Sequence, residues 1–216
     1  VVSVTSGQRR HLRRQATIEE IVDHAVDIMT TDGVAGLSLG EIARRMGVRP
    51  PSLYTYFDSK DALYDELFRR GWEAALAALA DVRAQLGPIT RETDPVARAV
   101  ALAEGITRWG VANPALGQLM FWRPVPRFTP SDEAYAPSLR VAQLARDEIG
   151  DWISAGRLDP LVDPDLLAEA VITVVAGVMT RKVVNEPGAP YEDGPITPVL
   201  RYLITHVVGP YVRSRP

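Results

Sequence analysis

The chain has 216 residues, 46% of them hydrophobic and 24% charged, with a formal net charge of −3 and no cysteine. That size and balance fit one moderately large globular domain or two small ones. The lack of cysteine excludes disulfides, thiolate metal sites and a cysteine nucleophile. No apolar run approaches the ~20 residues that span a bilayer, and Val1 to Arg10 lacks the layout of a signal peptide. A soluble, cytoplasmic protein is expected.

Helical periodicity dominates throughout, without strand alternation bounded by hairpin turns, which predicts an all-α fold. Arg9, Arg10, Arg13 and Arg14 cluster with no acidic residue before Glu19. We read residues 1–16 as a flexible basic arm that supplies phosphate or minor-groove contacts, the alternative being a solvated tail. A basic face of this kind can sit on an acidic molecule, so the net charge does not exclude DNA.

The first helix is predicted to open at Thr17, with Glu20 completing a capping box, and to stop at Asp32-Gly33. Ser38 and Glu41 repeat the box for a second helix whose Leu39, Ile42, Ala43 and Met46 face inward. Gly47 closes it, with Val48 expected to anchor the turn. Pro50-Pro51 opens a third, very short helix. Leu53 and Phe57, four apart, point inward, which leaves Ser52, Tyr54, Thr55 and Tyr56 outside. Two short helices joined by a tight turn, with polar and aromatic groups on the second, form a helix-turn-helix that can enter the major groove. Residues 17–63 are therefore assigned as a DNA-binding unit and 64–216 as a second domain.

Asp58-Ser59 caps a long fourth helix from Lys60 to about Leu86. Further helices are expected at Asp94–Asn113, Ala115–Trp122, about Ala136–Ala155, Pro164 to about Asn185, and Pro198 to about Val212. A proline-rich loop follows Arg123 and a Pro/Gly loop runs from Glu186. The last two helices are apolar over more than the ~100° of an ordinary surface helix. Pairing with their symmetry mates in a four-helix bundle would bury the excess. Val171, Val174, Val175, Val178, Leu200, Leu203, Ile204 and Val207 are the candidate homodimer contacts. The alternative is that these helices form the monomer's own core.

The large side chains of the second domain, Trp109, Met120, Phe121, Trp122, Phe128, Tyr135, Trp152 and Met179, are candidates to line an effector pocket. Plain core packing is the alternative for each. Their joint character favours an apolar or aromatic small molecule. No nucleophile elbow, phosphate-binding glycine loop or metal-spaced histidine pair occurs, since His11, His24 and His206 are scattered. No metal or cofactor is expected.

Ala25, Gly33, Leu39, Ile42, Ala43, Gly47, Val48, Leu53-Tyr54, Tyr56-Phe57, Lys60 and Leu63 together resemble the TetR family of transcriptional repressors. The resemblance implies an all-helical homodimer on a palindromic operator, with a C-terminal domain that releases DNA when a small molecule binds. It places Leu39, Gly40, Pro50, Ser52, Tyr54, Thr55 and Tyr56 at DNA-contacting positions, with Tyr54 and Lys60 reaching phosphates. Physical chemistry agrees on two of these: a lysine at a helix start reinforces amides that attract phosphate, and a tyrosine hydroxyl donates to phosphate oxygens. Ser52 and Thr55 can address base edges, Pro51 suits a thymine methyl, and Arg49 in the turn is the candidate for a guanine contact. Trp109, Asn113-Pro114, Leu119-Met120-Phe121 and Phe128-Thr-Pro-Ser131 resemble a tryptophan-containing regulatory-domain subgroup of that family. Two rivals stay open: a helical enzyme that contains a helix-turn-helix-like bundle, and a helical protein-interaction module.

Overall fold

The computed structural model describes residues 6–213, which form nine α-helices and two short 3-10 turns. Residues 1–5 of the expected arm lie outside the described residues. The helix α1 spans Ser6–Asp32 and buries Ile21, Val22, Ala25, Ile28 and Met29 along one stripe. It therefore starts eleven positions earlier than the capping box suggested, and residues 6–16 are helix rather than flexible arm. Thr17 is an interior residue whose hydroxyl donates to the Arg13 carbonyl at 3.1 Å. The Gln, Arg, Leu and Ala residues before it are strong helix formers, so propensity carries the helix past a box that could have capped it.

A 3-10 turn at Val34–Gly36 leads into α2, Leu39–Arg45, and α3, Pro50–Leu53. Gly47 takes φ +67°, a conformation that suits glycine, and the Val48 N–H then closes the turn on the Ala43 carbonyl at 3.0 Å. The second capping box does not form, because Ser38 makes no side-chain cap and Glu41 instead binds Arg44 and Arg45. Val48 is exposed, so the turn is held from within by Val34, Leu37, Leu53 and Phe57.

The helix α4, Lys60–Leu86, begins as expected with the Ser59 hydroxyl accepting the Ala62 N–H at 3.0 Å. It runs unbroken across the expected division between residues 63 and 64. Leu63, Tyr64, Leu67, Phe68, Gly71, Ala75 and Leu79 are buried along it, so one stripe serves both the small N-terminal head and the larger body. The Tyr64 hydroxyl donates to the Val34 carbonyl at 2.7 Å and fixes α4 to the head.

The body comprises α5 (Pro95–Ala112), α6 (Pro114–Phe121), α7 (Asp132–Ser154), α8 (Pro164–Asn185) and α9 (Thr197–Val208). Asp94, Ser131 and Asp163 cap α5, α7 and α8 with side-chain hydrogen bonds. The cap at Ser131 starts α7 before Pro137, which the helix accepts in its second turn. Ser131 also donates its N–H to Asp65 of α4 at 2.8 Å, joining the two helices. Gly71 of α4 leaves room for Met120 of α6, since a Cβ there would lie 2.5 Å from the sulfur. The chain ends its last helix at Val208, earlier than expected, in a 3-10 turn stapled by an antiparallel bridge between Leu158 and Val212. No helix among the described residues is long and apolar enough to cross a membrane.

Candidate nucleic-acid face and the cavity beside it

Pro50, Pro51, Ser52, Tyr54 and Thr55 are all exposed on or beside α3, with Tyr54 52% accessible. Leu53 and Phe57 turn inward, the division expected from their spacing. Gly40 and Arg49 are exposed as well. Leu39 is a correction: its side chain is buried in the head, because the inward stripe of α2 needs that position, so only its backbone could meet a phosphate. Tyr56 is half-buried under the Arg14 guanidinium, whose carbon lies 5.2 Å from the ring centroid.

The helical start of α1 brings its arginines to this same face. Arg14 Nη1 donates to the Thr55 carbonyl at 3.0 Å, tying α1 to the end of the recognition segment. Arg10, Arg13, Arg14, Thr17, Thr55 and Tyr56 enclose an open notch of about 320 Å³. The arginines were visible in the sequence, but the notch was not, because it depends on α1 extending as a rigid rod. Lys60 is half-buried, with Nζ donating to the Ala35 carbonyl at 3.3 Å and lying 5.3 Å from the centroid of the Tyr64 ring. Its charge sits at the start of α4, where unpaired amides already favour an anion. In α2, hydrogen bonds from Arg44 and Arg45 hold the Glu41 carboxyl at about 2, well below its ordinary value.

In the body, α4, α5, α7 and α8, with Phe121 at the end of α6, line a partly open cavity of about 100 Å³ whose wall is almost wholly apolar. Trp72, Ile106, Phe121, Trp152 and Val175 are among the residues facing it. Of the eight expected pocket residues, only Phe121 and Trp152 line this cavity. Met120 fills the gap over Gly71, and Met179 packs against Gly110. Trp122 donates its indole N–H to Thr180 at 2.8 Å. Phe128 is buried against Tyr64 and Phe68, at centroid distances of 5.5 and 6.4 Å. Tyr135 is 48% exposed and stacks on Phe68, while Trp109 is half-buried at the edge of the core. Size alone made these residues candidates, and helix packing spends most of them elsewhere. Trp72 is not among the eight candidates, yet it lines the cavity; its place one turn after Phe68 on the inward side of α4 was the available signal.

The expected dimer residues divide. Val175, Val178, Leu200 and Ile204 are buried within the protomer and cannot meet a partner, and Val171 and Val175 line the cavity. Val174, Leu203 and Val207 are half-buried. The α8 sequence is apolar around most of its circumference, so its periodicity could not say which stripe faces the core. The outward stripe carries Leu166, Thr173, Gly177 and Val184, beside Val199, Tyr202 and His206 of α9. Leu166, Val184 and Tyr202 are 69, 59 and 61% exposed.

A short helix with an exposed polar face, set by a glycine turn and flanked by cations, on a helical body with an apolar cavity, defines a helix-turn-helix transcriptional regulator. Residues 21–67 match the family model described as bacterial regulatory proteins, tetR family. An HTH-type transcriptional regulator of Mycobacterium tuberculosis is 29% identical over 194 residues, covering 88% of this chain and 77% of the relative. A protein of unknown function from Rhodococcus sp. RHA1 has the same fold, with a TM-score of 0.75 at 21% identity over 91% of this chain and 95% of that one. So does the regulator FadR of Bacillus subtilis in complex with stearoyl-CoA, with a TM-score of 0.68 at 14% identity over 88% and 97% of the two chains. Residues 21–67 thus carry the DNA-binding segment of the tetR family, and the chain over most of its length is similar to HTH-type transcriptional regulators.

Proposed function

We propose that this regulator is a repressor that binds a palindromic operator as a homodimer and leaves it when a small apolar or aromatic effector enters the body cavity. The observation that carries this reading is a single helix shared by both places. Trp72 and Leu79 of α4 line the cavity, while Lys60 and Tyr64 at its start bond the Ala35 and Val34 carbonyls of the head. A ligand that shifts α4 must therefore move the face that meets DNA.

In this reading Tyr54, Lys60 and the arginines of the α1 notch hold phosphates, and Arg49, Ser52 and Thr55 address base edges. Residues 17–63 act as the DNA-binding domain and 64–216 as the effector and dimerisation domain. The outward stripes of α8 and α9 meet their symmetry mates in a four-helix bundle. Gly177 supports this, because a mid-helix glycine costs about 0.5–1 kcal/mol relative to alanine and a Cβ there would touch nothing within 4 Å in the protomer. An acyl chain, as carried by the ligand of the Bacillus subtilis FadR structure, is a kind of molecule that the apolar wall would also accept.

Selecting bound sequences from random duplex DNA tests the proposal. The expected product is an inverted repeat whose affinity falls steeply with salt. Selected sites without two-fold symmetry would overturn the homodimer on a palindrome, and salt-independent binding would overturn the phosphate contacts.

A further inference from the structure

We infer that the molecule this cavity takes is uncharged and largely apolar but carries hydrogen-bond acceptor oxygens, as ketones, esters and lactones do, and that these accept from the indole N–H groups of Trp72 and Trp152. The inference rests on reading the cavity as the effector site. Both indole nitrogens are buried and have no hydrogen-bond partner, and both side chains line this one cavity. Buried donors are almost always paired, so two orphaned indoles on side chains that line one cavity call for an explanation, and an acceptor in the cavity reaches them by a small turn of each ring. Trp122, which does not line it, has its N–H satisfied by Thr180. Phenylalanine would serve a purely apolar wall without stranding a donor.

The rest of the wall narrows the chemistry. Glu148 is its only other polar side chain, and that carboxylate is already committed. Arg98 donates to it through Nε at 2.7 Å and Nη2 at 3.2 Å, and Arg83 through Nε at 2.5 Å. No counter-charge is left for an ionic ligand, and burying an unpaired ion is costly. A water would find too few partners beside such apolar surface to satisfy both indoles. An acceptor oxygen on an apolar frame meets all of these conditions. Edge contacts of Trp72 with Phe68 and Phe121, at 6.3 and 5.1 Å between centroids, hold its ring in place. Because Trp72 belongs to α4, the acceptor would engage the helix that reaches the DNA-binding head.

The test uses three probes of one skeleton, indane, 1-indanone and indane-1-carboxylate, titrated against the full chain by ligand-observed NMR. The expected result is that 1-indanone binds about tenfold more tightly than indane, the scale of one or two hydrogen bonds, and more tightly than the carboxylate. In Trp72→Phe/Trp152→Phe the preference for the ketone should shrink to within about twofold, and each single variant should remove part of it. The single variants and the wild-type comparison decide the matter if circular dichroism shows the double variant unfolded. Equal binding of indane and indanone to the wild type overturns the acceptor assignment but leaves the cavity reading intact. A ketone preference that survives loss of both indoles overturns the donors, and tighter binding of the carboxylate overturns the uncharged class. Binding of none of the three overturns the effector-cavity reading, and this inference with it.

Discussion

Arg70 of α4 and Glu19 of α1 form a two-point ion pair that straps the connecting helix to the DNA-binding head, with Nη2 donating to Glu19 Oε1 at 2.8 Å. Glu66 holds the same guanidinium from the other side through Nε at 2.6 Å. Exposed pairs of this kind contribute at most about 1 kcal/mol to stability, so the strap's importance is geometric. Glu19→Gln should leave the urea midpoint almost unchanged while amide exchange in α1 rises a few-fold relative to α8 and α9. Unaltered exchange in α1 would mean that the strap constrains nothing.

Lys60 and Arg49 should fail in different ways. Lys60→Ala is expected to weaken binding to all sequences about equally and to reduce the salt slope by about one. Arg49→Ala should cost about 1–3 kcal/mol at one base pair and relax preference there. A base-specific loss from the lysine change would disprove its phosphate role.

Gly177 lies on the outward stripe of α8 and clashes with nothing in the protomer. Gly177→Leu should therefore leave the folded monomer intact and push the protein toward monomer in sedimentation. A variant that stays dimeric at micromolar concentration would move the interface off this stripe.

Arg98 and Glu148 are a buried pair, with side chains 6 and 2% exposed. Arg98→Met strands much of the carboxylate's charge and should cost about 3–5 kcal/mol in urea unfolding. The Arg98→Met/Glu148→Leu double variant should recover most of that, because both charges then leave together. A single-variant cost below about 1 kcal/mol would show that Arg83 alone satisfies the acid.

Acid should loosen α2 through Glu41. Its carboxyl sits at about 2 in the folded head against an ordinary 4.5, held down by hydrogen bonds from Arg44 and Arg45. A depressed carboxylate stabilises the fold fully above its ordinary value, and that contribution is lost as pH falls through the folded value. The difference in urea midpoint between the wild type and Glu41→Gln should thus be full at pH 6 and shrink between 4.5 and 2. A difference independent of pH would mean that the pairing is not what the glutamate contributes.

The parts legible in the sequence were those decided within a few residues. Gly47 with its turn, Pro50 at a helix start, Ser59 as a cap, and Leu53 with Phe57 as inward anchors all follow from local backbone chemistry. Local signals also misled where two of them competed. Thr17 carries a capping pattern inside a run of strong helix formers, and the run won; Glu41 completes a box on paper but is taken by two arginines. Leu39 could not be both inward anchor and contact residue, and burial claimed it.

What the sequence by itself determined was the list of helices and the identity of the head, because periodicity, glycine stops and proline starts act at short range. Which side chains share a space was left to the tertiary structure. Trp72 and Trp152 are eighty positions apart and meet at one cavity only because α4 and α7 pack together. Tyr135 and Phe128, equally aromatic, were drawn to Phe68 instead. On α8, apolar around most of its circumference, only the position of its neighbours separates Val175 inside from Gly177 and Val184 outside. Periodicity names the faces of a helix, and packing alone decides what each face meets.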